Sequence, residues 1–426
     1  MADDRANALL IEDPLDSMKG LLNQAQFYER VGQALKQEAS SWYMLAVAIE
    51  DYTLINELYG REIARDILSQ TASLLLEHAH ENDLIGRVRR DEFMVFISGN
   101  RFSEKEIRTL LKEFQDSSSP YQIFLHIGIY EITDPSASVV AICNRASIAL
   151  DHIATEDGSC LGYYSEALID NANQKRKVIR EVEDALDKEH FQIFLQPQID
   201  AQGTLTGAEA LVRWNHPEDG ILPPGRFVGI LEEAGLIYLI DRYVWELAAS
   251  QLEDWKNAGY DRLSLSVNIS QKDFYYLDIY TIFTDLADQY GFSPDRLKLE
   301  ITEDAFLIGA NRHMIRRLKE YGFQIDIDRF GTGSSTLRML KDVDADAIKL
   351  DREFINELET KPKSRIVLDA IIDICKRLEI NLIAEGIEQP FQLEYLKERG
   401  CNTFQGYLFD KPMPARDFEE KYLSKA

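Results

Sequence analysis

The second half of this 426-residue chain reads as eight short apolar runs, nearly all with a polar or ionisable side chain near the C-terminal end. They are FQIFLQ ending at Gln196, AEALVRW holding Glu209, LSLSVN ending at Asn268 and LKLEI holding Glu300. FQIDID ending at Asp328, AIKLD holding Lys349, NLIAE ending at Glu385 and NTFQGY holding Gln405 complete the set. Stretches long enough for a helix separate most of them. Strand–helix alternation repeated eight times over about 250 residues is the pattern of a (β/α)8 barrel, an α/β fold whose chemistry sits at the C-terminal strand ends. Four carboxylates and an asparagine converging there make a site for a hard divalent cation, because Mg2+ takes oxygen ligands.

The chain is long enough for two domains with full cores. Its net charge of −26 argues against a nucleic-acid or anionic-membrane partner, since phosphate-backbone binding needs clustered Lys and Arg. A small anionic ligand held by a local arginine and metals stays compatible with it. Cys143, Cys160, Cys375 and Cys401 show no CxxC or Cys–His spacing and read as reduced thiols of a cytosolic protein. The start, MADDRANALLIEDP, lacks the basic-then-apolar order of a signal peptide, and no apolar run is long enough to span a membrane. A cytoplasmic location is expected.

Residues 14–166 have a different rhythm. A helical LLNQAQFYERVGQAL leads to a buried strand, YMLAVAI, then to a helix from about Glu62 to Ala79. LIGRV and FMVFIS read as a hairpin turning at Arg89-Arg90-Asp91-Glu92, and further helix and strand segments complete an α/β sandwich. Residues 167–187 form a linker helix with Val178, Val182, Ala185 and Leu186 on one face, and 188–426 form the barrel.

The barrel motifs resemble the EAL family in order and spacing. They are QP at Gln196-Pro197, EALVRW from Glu209, VNIS around Asn268, LEITE around Glu300, DxFGTG from Asp328, IKLD around Lys349, AEGIE around Glu385 and QGYLF from Gln405. The resemblance covers roughly 175 to 426. It implies a phosphodiesterase that opens cyclic di-GMP to linear pGpG with two metal ions, Mg2+ or Mn2+. On that resemblance Glu209, Asn268, Glu300 and Asp328 hold one ion, and Asp328 bridges to a second held also by Glu385 and the residue after Asp328. Glu209, Lys349 and Glu385 are the catalytic groups, with Lys349 a fixed cation beside the developing charge. Gln405 orients water or ligand, Arg213 clamps a ligand phosphate, and Gln196 lies at the mouth. Glu303 steadies the loop after Asp328. EAL barrels often pair through that loop and its neighbouring helix, here about 331 to 342, so a homodimer is expected.

One residue departs from the pattern. Arg329 follows Asp328, placing a permanently charged guanidinium where the second metal needs a carboxylate oxygen. The first half resembles the GGDEF family, with RRDEF in place of its signature, and there too the chemistry is missing. Ala48 stands where a metal-binding Asp is needed and Arg65 replaces the acidic guanine contact, although Asn56 is present. Arg89 and Arg90 replace two turn glycines that admit a triphosphate. His80 to Asp83, the place of the product-inhibition motif, lacks its arginine, and Asp91 and Glu92 read as solvated turn residues. The combined expectation is a cyclic di-GMP receptor with an inactive cyclase domain, acting on an unknown protein partner. An active phosphodiesterase and an interaction module without ligand are the alternatives.

Overall fold

The first half of the chain is organised around a strand apolar on both faces, the pattern of a central strand in a covered sheet. The computed structural model describes residues 20–36, 41–50, 52–89, 91–117, 123–153, 161–330, 345–358 and 361–424. Their contacts divide the chain into two units, Met1–Gln174 and Lys175–Ala426. In the first unit the strands are β1 (Leu22–Asn23), β2 (Trp42–Ile49), β3 (Leu84–Arg87), β4 (Glu92–Ser98), β5 (Leu125–Glu131) and β6 (Leu161–Tyr163). The sheet order is β1-β3-β4-β2-β5-β6, with β2 antiparallel to both neighbours. Met44 and Ala46 of β2 join one core; Leu45 and Val47 join the other.

Helices α1 (Gln24–Ala34), α2 (Tyr52–Tyr59), α3 (Arg61–Glu77), α4 (Glu104–Ser117) and α5 (Val139–Asp151) supply the covering layers. Phe27 and Val31 of α1 and Ile142 and Ala146 of α5 cover one face; Ala64, Leu68 and Leu75 of α3 and Leu110 and Phe114 of α4 cover the other. The helix α5 lies hard on β5 at Gly128, where a Cβ would come within 2.2 Å of the Ala146 carbonyl oxygen. The β3–β4 hairpin forms as expected, but Glu92 is not a solvated turn residue. It is buried, ion-paired with Arg89 at 3.0 Å, and accepts a hydrogen bond from the Ser147 hydroxyl. An arginine three residues back supplies the cation that a buried carboxylate requires.

The second unit holds β7 (Phe191–Asp200), β8 (Leu205–His216), β9 (Gly220–Leu222), β10 (Ser264–Ile269), β11 (Leu297–Thr302) and β12 (Gln324–Phe330). Beyond them come β13 (Ala347–Leu350), β14 (Asn381–Ala384), β15 (Thr403–Phe404) and β16 (Met413–Pro414). The ring runs β7-β15-β14-β13-β12-β11-β10-β8, and the β7–β8 pairing closes it into an eight-stranded barrel. All its neighbours from β8 round to β15 are parallel, but β7 is antiparallel to both β8 and β15. The first two apolar runs are thus a hairpin, without a helix between them. Its turn is fixed by Asp200, whose carboxylate accepts from the Gln202 and Thr204 amides at 2.9 and 2.7 Å.

The helix α6 (Glu166–Asp187) is continuous, and its second half belongs to the barrel unit. Val178, Val182 and Ala185 join the barrel core, while Lys177 pairs with Glu218 and Asp219 and Glu181 meets the buried His216 at 3.0 Å. After β8 come α7 (Val228–Ala234) and α8 (Ile237–Asn257); after β10, α9 (Asp273–Tyr276) and α10 (Ile279–Tyr290); after β11, α11 (Glu303–Leu307) and α12 (Gly309–Tyr321). These helices and their successors pack Trp245, Trp255, Phe283 and Leu318 against the strands. No described helix is long and apolar enough to cross a membrane.

Candidate functional site

Strand register brings the predicted side chains together. Gln196 is paired with Glu209 across β7–β8, Asn268 with Glu300 across β10–β11, and Asp328 lies at the end of β12 opposite Thr302. Residues of one parity on each strand face the barrel axis, so Glu209, Asn268, Glu300, Asp328 and Lys349 converge. With Gln196, Glu385 and Gln405, all but Glu300 line one cavity of about 450 Å3. Glu300 lies beneath, 1% exposed.

Lys349 is the hub. Its ammonium is 2.5 Å from both Glu300 Oε2 and Glu385 Oε1, 3.3 Å from Glu209 Oε2 and 4.0 Å from Asp328 Oδ1. A lysine buried to 1% exposure would ordinarily lose its charge, yet the four carboxylates outweigh desolvation and hold its pKa well above the usual value. Burial and the neighbouring Glu209 push Glu300 well above the carboxylate range, despite Lys349. Burial also raises Glu385, to about 7, with Lys349 pulling the other way. Glu209 ends below its ordinary value: burial raises it, but Lys349, Gln405 and Asn268 together outweigh that.

A chain of amides fixes Glu209. Gln405 Nε2 donates to Glu209 Oε2 at 2.5 Å and to Gln196 Oε1 at 3.1 Å, while Asn268 Nδ2 donates to Glu209 Oε1 at 3.3 Å. Gln196, expected at the mouth, lines the cavity but is itself buried, with its amide nitrogen on the Asp410 carbonyl oxygen at 3.3 Å. Gln198, unmarked in the sequence reading, donates to Gln405 Oε1 at 3.2 Å and Ser266 Oγ at 3.3 Å. Its signal was available: it lies two residues beyond Gln196, hence on the same strand face. Trp245 Nε1 secures the Asn268 carbonyl oxygen at 3.0 Å. Asp326 is a second omission, buried on β12 with its pKa raised by desolvation.

The two arginines differ from expectation. Arg213 does not line the cavity: its guanidinium lies over the Phe194 ring at 5.2 Å and donates to the Val212 carbonyl oxygen at 2.8 Å. An arginine at a strand rim covers the nearest ring and carbonyl in this way. Arg329 does line the cavity, with Nε 3.7 Å from Asp328 Oδ2, but its side chain is 70% exposed. The positive φ of +53° and its N–H bond to Asp328 Oδ1 at 2.8 Å hold the backbone here. Glu303 is buried at the start of α11. The loop it was expected to steady, and the proposed pairing segment 331–342, lie outside the described residues.

The donor set fits a hard dication. Four oxygen-bearing side chains come from consecutive strand ends, Glu300 Oε1 is buried without a hydrogen-bond partner, and the carboxylates around Lys349 outnumber its single charge. In this conformation the carboxylates close on Lys349; among the described residues no group of three or more His, Cys, Asp and Glu is spaced to hold a metal.

The EAL domain family model matches residues 179–412, more than half of the chain. The chain belongs to the EAL family. Residues 14–159 match the diguanylate cyclase GGDEF domain model, giving the tandem GGDEF–EAL arrangement. The signaling protein YkoW of Bacillus subtilis is 30% identical over 95% of this chain and 52% of its own length. The bifunctional diguanylate cyclase/cyclic di-GMP phosphodiesterase MucR of Pseudomonas aeruginosa is 28% identical over 96% of this chain and 62% of its own length. The chain thus spans between half and two-thirds of these relatives. A solved structure of the PaMucR phosphodiesterase in complex with cyclic di-GMP is 33% identical, covers 57% of this chain and 99% of that chain, and superposes with a TM-score of 0.55. EAL domains are in general metal-dependent, with Mg2+ or Mn2+.

Proposed function

We propose that this EAL barrel binds cyclic di-GMP as a signalling receptor, that Arg329 impairs or abolishes its hydrolysis, and that the GGDEF domain does not synthesise the dinucleotide. The observation that carries the reading is the pairing of Arg329 with Asp328 at 3.7 Å, beside an otherwise complete ring of oxygen donors. Mg2+ or Mn2+, held by Glu209, Asn268, Glu300 and Asp328, would supply Lewis acidity and an acidified water. Asp328 and Glu385 are the donors left for a second ion, and a fixed cation beside Asp328 opposes its entry.

The chain's own groups have separable roles in this reading. Lys349 is the buried counter-charge to Glu209, Glu300 and Glu385, holds Glu209 below its ordinary value together with Gln405 and Asn268, and presents a positive charge to a phosphodiester. Gln405 and Asn268 orient Glu209. Glu385, with a pKa near 7, is suited to hold or take a proton. Outside the cavity, Arg213 reaches a ligand phosphate only by leaving the Phe194 ring.

A second reading, an active phosphodiesterase, is favoured by the exposure of Arg329, whose side chain is 70% open to solvent although it lines the cavity. Calorimetry with cyclic di-GMP, alone and with Mg2+, together with chromatography for pGpG after incubation with Mg2+ or Mn2+, separates the two. Binding with little pGpG is expected. Brisk pGpG formation establishes the enzyme; no binding in either condition removes both and leaves an interaction module.

A further inference from the structure

The amide chain that holds Glu209 does not end at Gln196. Gln196 Nε2 donates to the Asp410 carbonyl oxygen at 3.3 Å, and the Asp410 carboxylate, 18% exposed, is gripped by the C-terminal helix (Ala415–Tyr422). The Lys421 ammonium donates to Asp410 Oδ1 at 2.6 Å, and the Tyr422 hydroxyl donates to Oδ2. Burial and this bond raise the Tyr422 phenol above its usual range, so it stays a donor. The helix is itself firmly seated. Phe418 is buried and stacked on Trp255, and Glu419 Oε1 accepts from Gln251 Nε2 at 2.8 Å and Trp255 Nε1 at 3.1 Å. Just before it, β16 pairs Met413 with Leu195, the neighbour of Gln196.

The chain of amides has a polarity imposed from both ends. A main-chain carbonyl and an ionised carboxylate only accept, so the nitrogen of Gln196 must face Asp410 and its oxygen must face Gln405. Gln405 Nε2 is then turned to donate to Glu209, and the Gln405 oxygen takes the Gln198 amide, which fixes the same orientation. The turn that carries both Gln405 and Asp410 is held at two points. At one, a Cβ on Gly406 would come within 2.2 Å of the Ile387 carbonyl oxygen; at the other, Lys421 and Tyr422 hold Asp410. We propose that Asp410 is a positioning residue for the metal-binding ring: clamped by the C-terminal helix, it presents Glu209 through Gln196 and Gln405. The inference rests on the reading that Glu209 holds a divalent ion. It makes the helix a handle on the site, since displacing it frees Gln196 to turn over and deprives Glu209 of its donor.

The test is Mn2+ binding by the full chain, read from the loss of the free ion's electron paramagnetic resonance signal, with thermal midpoints alongside. Losing a residue bonded directly to a metal ligand costs about 10- to 100-fold in metal affinity. Asp410 stands further out, beyond Gln405 and Gln196, so Asp410→Ala is expected to weaken Mn2+ binding by about three- to tenfold. Tyr422→Phe, which deletes only the hydroxyl, acts in the same direction by at least about twofold. In a Gln196→Met background, where the chain of amides is cut, Asp410→Ala changes Mn2+ affinity by less than about twofold while still lowering the thermal midpoint. Gln405→Asn serves this arm if Gln196→Met does not fold. An equal loss of affinity with the chain of amides intact and cut means that Asp410 acts on stability alone. Parental Mn2+ affinity in both Asp410→Ala and Tyr422→Phe means that the helix does not govern Glu209. Either result overturns the inference while the metal reading stands. If the parent binds no Mn2+, both fall together.

Discussion

At Asp328-Arg329 the chain passes through a left-handed residue, φ +53°, a conformation that asparagine and aspartate adopt more readily than arginine. Arg329→Asp therefore relieves backbone strain while removing a cation and restoring an oxygen ligand. Hydrolysis is expected to appear or rise by at least about tenfold, which needs only about 1.4 kcal/mol off the barrier. Arg329→Asn, which removes the charge without supplying a carboxylate, falls between the two. Glu209→Ala in the aspartate background abolishes the gain. A parent that already produces pGpG briskly and is unchanged by Arg329→Asp would place the guanidinium permanently in solvent. Lys349 poses the opposite case, a cation the site cannot lose. Lys349→Ala leaves Glu209, Glu300 and Glu385 buried without their counter-charge, and breaking such a buried pair costs about 3–5 kcal/mol. Melting in a chelator should show that loss, and Mg2+ should restore part of it by binding the folded state. Equal midpoints for parent and variant in chelator would mean that the carboxylates simply take up protons.

Among the elements, α9 has its own titratable anchor. Asp273 faces Asp241 of α8, and the two share a hydrogen bond that requires a proton. Burial raises Asp273 to about 7, with Asp241 and Ser270 pulling against it; burial and Asp273 hold Asp241 well above the carboxylate range, and Glu232 raises both. A folded pKa above the unfolded value means that protonation stabilises: the benefit is full below about pH 4 and is lost as pH rises through about 7. Asp273→Asn should flatten this dependence, with a higher thermal midpoint than the parent at pH 8; each 1 kcal/mol is worth about 2–4 °C. A parent midpoint that does not fall between pH 5 and 8 relative to the variant would refute the shared proton. No pattern in the sequence announces this pair, because helical periodicity places Asp241 on α8 without saying what faces it 32 residues later. The strand ends were more legible. Glu300 and Lys349 each lie two residues before a helix cap, Thr302 and Asp351, whose side chains accept the Ala305 and Glu353 amides. The caps absorb the ordinary role of polar residues at such junctions, so the inward residues need another. The β7–β8 hairpin was legible only in Asp200 and Gly203, turn residues that eightfold alternation led the reading to pass over.

At the scale of the whole molecule, a net charge of −26 means that any anionic ligand must be captured by local cations against the global field. In the barrel unit Lys349 and Arg329 meet that need at the cavity. Among the described residues of the first unit no group of three or more His, Cys, Asp and Glu is placed to hold a metal for a triphosphate. Both faces of its sheet were readable from β2 alone, since alternate residues are apolar on each side, yet the fate of the RRDEF turn was not. Glu92 looked like a surviving surface acid because its partner Ser147 is 55 residues away. In the fold Ala48 is paired with Glu92 across β2–β4, so a methyl group occupies the strand position at which the GGDEF resemblance implies a metal-binding carboxylate. Glu92 itself is committed to Arg89 and Ser147. The full chain incubated with GTP and Mg2+ is therefore expected to form no cyclic dinucleotide, and Ala48→Asp alone should not rescue synthesis because Arg89 still crowds the turn. Chromatography must read cyclic di-GMP and pGpG together, so that hydrolysis in the barrel cannot conceal synthesis in the first unit. Either product arising from GTP would overturn the claim that this unit is catalytically inert, whereas GTP binding without product would leave it standing and give the first unit a regulatory role.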